Sequence, residues 1–117
     1  MVLPGSECKD KSSAEEIAKK TLDCLKKNVP AIVPGIAFLS GGQSELEATE
    51  NLNLINKLNK TGFIMSYSYG RALQQGALKF WSKNINDIEG TQKVFNHRAK
   101  MNTLAAQGKW SKEIESQ

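Results

Sequence analysis

Twice in this chain an apolar run ends in a turn of hydroxyl and glycine residues that leads straight into a helix-like pattern. The first run, Ala31 to Leu39, stops at Ser40-Gly41-Gly42. The second, Phe63 to Ser68, closes in Ser68-Tyr69-Gly70 and is followed at once by Arg71-Ala72-Leu73. The stretch 32–39 is too short for an ordinary helix and does not alternate apolar with polar residues. That is how a strand buried on both faces of a parallel sheet reads. The stretch 63–68, rich in aromatic and apolar residues, reads as a second strand. Strands alternating with helices build parallel βα units joined by right-handed crossovers, so the expected class is α/β.

The helices around these strands announce their own ends. Ser12 and Ser13 each have a glutamate three residues on (Glu15, Glu16), a possible capping box at the start of the first helix. Ala14, Ile17, Ala18, Thr21, Cys24 and Leu25 then share one face, with lysines on the other, until Asn28-Val29-Pro30. Ser44-Glu45-Leu46-Glu47 offers a second capping box. Leu46, Ala48, Thr49, Leu52 and Ile55 follow at helical spacing to about Leu58, and 59–62 is a loop. A third helix opens at Arg71. A last one is expected over about 85–106, with Ile88, Phe95, Ala99, Asn102 and Ala106 on one side, and 109–117 reads as a frayed polar tail.

A chain of 117 residues is one domain or less. Its 39% apolar and 24% charged residues are those of a soluble globular protein. The longest apolar run is broken by Pro34-Gly35 and falls far short of the ~20 residues a membrane span needs, so no membrane association is expected. The first ten residues lack the basic and apolar regions of a secretory signal. Cys8 and Cys24 lack metal-ligand spacing and fit free thiols in a reducing compartment. The net charge of +4 comes from lysines scattered among acids. These read as solvated helix faces rather than a nucleic-acid surface, and would also suit a phosphorylated small molecule.

Both turns carry the parts of an anion cradle. Glycine lets a ligand approach the backbone, and amides at a helix start point outward at the positive end of the dipole. Ser40 and Ser68 can donate hydroxyl hydrogen bonds, and Arg71 adds a planar charged fork matched to phosphate oxygens. In parallel α/β folds such turns lie at the carboxyl ends of strands, where ligands bind. The alternative is that the glycines only let the chain turn sharply and that Arg71 is an ordinary surface residue. On the residues alone both readings stand.

The motifs "FLSGGQSELEATENLNLINKL" and "SYGRALQQGALKFW" resemble the carboxyl-terminal part of class I fructose-1,6-bisphosphate aldolase. So do "MVLPGSECK", "VPAIVPGIAFLSGGQSE" and "RAKMNTLAAQGKW", in order along nearly the whole chain. The resemblance implies a (β/α)8 TIM barrel, with residues 1–117 supplying the last two βα units and a C-terminal helix. It implies that Ser40, Gly41, Ser68, Gly70 and Arg71 hold a substrate phosphate. It also implies cleavage of fructose 1,6-bisphosphate to dihydroxyacetone phosphate and glyceraldehyde 3-phosphate through a lysine Schiff base. No metal or other cofactor is implied. The family is usually a homotetramer, and a cytoplasmic location is expected, a plastid being the alternative.

The family's Schiff-base lysine lies in a strand ending Lys-Pro-Asn-Met-Val, and this sequence opens on Met1-Val2. The nucleophile is therefore expected upstream of Met1, leaving no catalytic residue here. Lys57, Lys60, Lys79, Lys83 and Lys100 lie on helices or loops and read as solvated. Glu45 and Glu47 belong to the capping box and its helix face, His97 reads as structural or surface, and Trp81 and Trp110 read as packing anchors. Before Ser68-Tyr69-Gly70-Arg71 the chain has Gly62 to Tyr67, with a hydroxyl at Tyr67 where the family has phenylalanine. A whole barrel needs eight strands and ~250 residues. Two strands leave both edges unpaired, so the expectation is an incomplete barrel: a partial aldolase sequence, inactive alone and poorly folded, aggregation-prone or partner-dependent. The alternative is a non-catalytic sugar-phosphate-binding module that docks onto intact aldolase subunits.

Overall fold

In a computed structural model describing residues 1–117, five helices surround one face of a two-stranded parallel sheet. Helix α1 spans Ala14–Asn28. Its N-cap is Ser13, whose hydroxyl accepts the Glu16 amide at 3.2 Å. The Glu16 carboxylate turns outward to Lys20 at 2.9 Å, so the cap is single and not a box. Ile17, Ala18 and Thr21 are buried as expected, but Cys24 is exposed, and Leu22 and Leu25 make the core contacts of the later turns instead. Both cysteines are free thiols at the surface.

Strands β1 (Gly35–Phe38) and β2 (Ile64–Tyr67) pair in register, Gly35 with Ile64 through to Phe38 with Tyr67. β1 is half the expected length. Val33 closes a turn onto the Pro30 carbonyl (3.0 Å), leaving Ile32 90% exposed. The two prolines flanking this turn have no amide to give a ladder. Nor is the sheet buried on both faces. Ile36, Phe38, Met65 and Tyr67 pack on the helices, whereas Gly35, Ala37, Ser66 and Ile64 (75% exposed) form an open face. Burial on both sides requires a layer that these residues do not supply.

Helix α2 (Glu45–Leu58) lies at the centre, with Ala48, Thr49, Leu52 and Ile55 fully buried. The expected capping box is present: Ser44 Oγ accepts the Glu47 amide (3.2 Å) and Glu47 Oε2 accepts the Ser44 amide (3.0 Å). Leu46, placed by its spacing on the buried face, is instead exposed. Its Leu52 and Ile55 meet Met101 and Ala105 of α4 in a single core.

Helix α3 (Arg71–Lys83) and helix α4 (Ile88–Ala106) lie against each other. The last helix starts at Ile88 and not Ile85, because Asp87 caps it by accepting the Gly90 amide at 2.8 Å. Of its expected inner side only Asn102 is fully buried; Ile88 and Phe95 are exposed along an open apolar groove of about 460 Å³ shared with Leu78 and Trp81 of α3. Trp81 is thus no packing anchor here. Trp110 is, at 4% exposure, and residues 109–117 are not a frayed tail. Gly108, at φ +67°, ends α4 with paired bonds from its own amide to Ala105 and from Lys109 to Leu104, a left-handed stop that suits glycine. The chain then turns into α5 (Lys112–Glu115), whose Glu115 accepts from both terminal guanidinium nitrogens of Arg98 (2.7 and 3.1 Å) and from Trp110 Nε1 (2.8 Å). No helix is long and apolar enough to cross a membrane.

Candidate functional site

Both turns sit at the carboxyl end of the sheet, on neighbouring strands. Phe38 pairs with Tyr67, and the Ser68 amide donates to the Phe38 carbonyl at 2.8 Å. Ser40 follows two residues after Phe38, and Gly70 three after Tyr67. The five residues picked from the sequence (Ser40, Gly41, Ser68, Gly70, Arg71) therefore share one end of two adjacent strands, which run about 4.8 Å apart.

The first turn is braced from within. The Ser40 carbonyl accepts both the Gln43 amide (3.1 Å) and Gln43 Nε2 (2.7 Å), while Asn51 Nδ2 holds Gln43 Oε1 at 2.7 Å. Gly41 (φ +59°) and Gly42 (φ +83°) take the left-handed conformations that reverse the chain. The amides of Ser40, Gly41 and Gly42 and the Ser40 hydroxyl make no hydrogen bond within the chain. The N-terminus of α2 itself is closed by the Ser44–Glu47 box, with a carboxylate already on it. An anion at this turn would meet the glycine amides and not the helix end.

The second turn is built the opposite way. Tyr69 is buried and its hydroxyl donates to the Ala48 carbonyl at 2.8 Å, pinning the turn to α2. Burial, with Tyr67 beside it, raises the phenol well above its ordinary range, so it stays neutral and donating. Gly70 caps α3 with no side chain, and the first turn of α3 holds no acid. The amides of Gly70, Arg71 and Ala72 consequently have no partner, and Arg71 is exposed without an ion pair. Gly70 has φ −91°, so tight turning does not explain it; the space beside its Cα is open. Ser68 is exposed next to it.

Neither the apolar groove nor a second, polar cleft is this cradle. The polar cleft of about 410 Å³ between the N-terminal segment and α2 includes Gly41 but none of the other four, and the apolar groove includes none. Gly41, Ser68, Gly70 and Arg71 are exposed at this end of the strands, whereas Ser40 is buried at 9% exposure. Every lysine of the chain is exposed, and Glu47 is spent on its box. His97 is part of the Glu115 cluster at 3.2 Å. Sequence reading missed Gln43, Tyr69 and Glu45 as parts of the site's framework. Gln43 lay inside the quoted motif, but its inward turn depends on Asn51, one helical stretch later.

The whole chain, residues 1–117, matches the family described as Fructose-bisphosphate aldolase class-I. It is 50% identical over 111 residues to the probable fructose-bisphosphate aldolase class 1 of Xylella fastidiosa (strain 9a5c), covering 94% of this chain and 33% of that protein. It is likewise 50% identical over 117 residues to the chloroplastic fructose-bisphosphate aldolase 3 of Arabidopsis thaliana, covering all of this chain and 30% of that one. Among solved structures, the aldolase of Plasmodium falciparum, crystallised in a ternary complex with TRAP and a small molecule inhibitor, superposes with a TM-score of 0.85 at 40% identity. It matches 92% of this chain and 31% of its own. The chain thus spans about a third of the length of the curated relatives it matches. With motifs, fold and a match along all 117 residues of this chain in agreement, the chain belongs to the class I fructose-bisphosphate aldolase family.

Proposed function

We propose that residues 1–117 form the phosphate-holding end of the substrate site of a class I fructose-bisphosphate aldolase, as the last two βα units of its barrel. The observation that carries this is the uncapped, acid-free start of α3, with Arg71 unpaired, beside the free amides and hydroxyl of Ser40, Gly41 and Gly42. Amides fix the anion's place, Ser40 and Ser68 add hydroxyl donors, and Arg71 supplies most of the charge. The ligand is the phosphate of fructose 1,6-bisphosphate or dihydroxyacetone phosphate. Carbon–carbon cleavage needs a desolvated lysine to form the Schiff base, and the lysines here are all in water. The chain alone therefore binds without cleaving, and activity belongs to an assembly that adds the other strands, a tetramer in the cytoplasm or a plastid.

The test uses the 117-residue chain. Incubation with dihydroxyacetone phosphate and borohydride should leave its mass unchanged, and a coupled assay should find no cleavage of fructose 1,6-bisphosphate. Titration with inorganic phosphate should show binding that Arg71→Ala weakens. A reduced adduct on one of its lysines would overturn the non-catalytic reading, and binding indifferent to Arg71 would overturn the phosphate site.

A further inference from the structure

Glu45 makes contacts that helix capping does not require. Ser44 and Glu47 already close the end of α2, yet Glu45 Oε1 reaches across to accept the amide of Gly76, in the second turn of α3, at 2.8 Å. Its other oxygen, Oε2, faces Arg98 Nε of α4 at 3.6 Å, an ion pair rather than a hydrogen bond. Arg98 is buried and is itself held by Thr49 Oγ1 (3.1 Å) and by Glu115. Gly76 is what permits the approach. A Cβ there would stand 2.8 Å from Glu45 Oε2 and 3.3 Å from Oε1, so the carboxylate would have to move.

Glu45 lies five residues after Ser40, and Gly76 five after Arg71. At 1.5 Å per helical residue, the contact on α3 is only about 7.5 Å along the axis from Arg71. A rigid helix transmits that anchor to its own first turn. We propose that Glu45 is a positioning residue, whose bond to the Gly76 amide, oriented by Arg98, sets the spacing between the Ser40–Gly42 turn and the Gly70–Arg71 turn. The inference rests on the reading of those turns as one phosphate cradle. A cradle made of two loops on separate strands loses its fit when either loop shifts, because amides aimed at one anion cannot follow independently.

The experiment follows inorganic phosphate by 31P NMR on the full 117-residue chain, with the melting temperature of each variant recorded beside its affinity. Glu45→Ala and Gly76→Ala should each weaken phosphate binding by about tenfold, the scale on which packed neighbours modulate a site. Glu45→Gln should recover most of the loss, since its amide oxygen still accepts from Gly76. Asp87→Ala, which removes the cap of α4 far from both turns, should lower the melting temperature and leave phosphate affinity intact. If Glu45→Ala melts early like Asp87→Ala but binds phosphate as the native chain does, Glu45 is structural and the inference is overturned while the cradle stands. If native binding is indifferent to Arg71→Ala, the cradle itself falls and takes the brace with it.

Discussion

Gly41 has room for a side chain but not the backbone for one. The nearest atom to an added Cβ is Leu3 Cδ1 at 3.5 Å, ordinary contact, whereas φ +59° is a conformation that a β-branched residue resists. Gly41→Val should therefore cost about 1–3 kcal/mol in turn stability, and should weaken phosphate binding as the turn's amides swing off target. Gly41→Asn, which tolerates left-handed backbone, should do much less. Equal losses for the two would show that any side chain blocks the ligand, and that conformation is not what matters. In the proposed cradle Arg71 acts by charge: Arg71→Ala should cost roughly 1.5–3 kcal/mol of phosphate binding, and Arg71→Lys should restore part of it without the planar fork. Residues of this kind can be singled out from a sequence because glycine, serine and arginine carry their chemistry with them. Glu45 was not, because its role depends on the angle at which α2 meets α3.

At the scale of elements, the C-terminal segment shows what sequence patterning misses. Lys109 to Gln117 reads as polar, yet Trp110 donates its amide to Asn53 Oδ1 (3.0 Å) and its side chain is buried. A four-residue helix has no periodicity to detect, and two of the partners of Glu115, His97 and Arg98, lie on α4, more than fifteen residues earlier. The longer helices were legible, since their caps and repeating faces are local; α4 lost its expected face because Ile88 and Phe95 line an open groove shared with α3. Burial pushes the Glu115 carboxyl up, but hydrogen bonds from Arg98 and Trp110, with the Arg98 charge and His97, outweigh it and hold it below the ordinary carboxylate range. A carboxyl lowered in the folded state contributes its stability above the unfolded value and loses it as pH falls through the folded one. Acidification should accordingly release α5 before the rest of the chain unfolds. In a Trp81→Phe background Trp110 is the sole indole, and its fluorescence should shift red in acid. Glu115→Gln should show that shift already at neutral pH and flatten the acid limb; an unchanged acid transition would mean that Glu115 is not the latch.

The whole molecule is less compact than its length allows. A single domain of 117 residues has a radius of gyration of about 13 Å, whereas this one has 15.3 Å and extents of 49 × 33 × 25 Å. The difference lies in what is left uncovered: the outer face of a parallel sheet, both of its edges, and the apolar groove of Leu78, Trp81, Ile88 and Phe95. Two strands were visible in the sequence, and so was the want of partners for them; that one face would stay open was not, because an unbroken apolar run looks the same whether or not its second layer is present. Unpaired parallel edges and bare apolar faces invite association. The chain should therefore sediment as a monomer only in dilute solution and form larger species as concentration rises. Ile64, on the open face, offers the cleanest probe. In the chain as it stands Ile64→Lys replaces a solvated side chain, so the melting temperature should barely move, within the roughly 0.5 kcal/mol of an exposed substitution, while association should fall. In a closed eight-stranded barrel the same face fills with packed side chains, and the lysine would be a buried charge that opposes assembly. Adding the remaining two-thirds of a relative in trans should then recover aldolase activity with the native chain and not with Ile64→Lys. Recovery that is equal for both would place the open face outside any barrel, and a sharp, concentration-independent melt of a monomer would remove the reason to expect a partner at all.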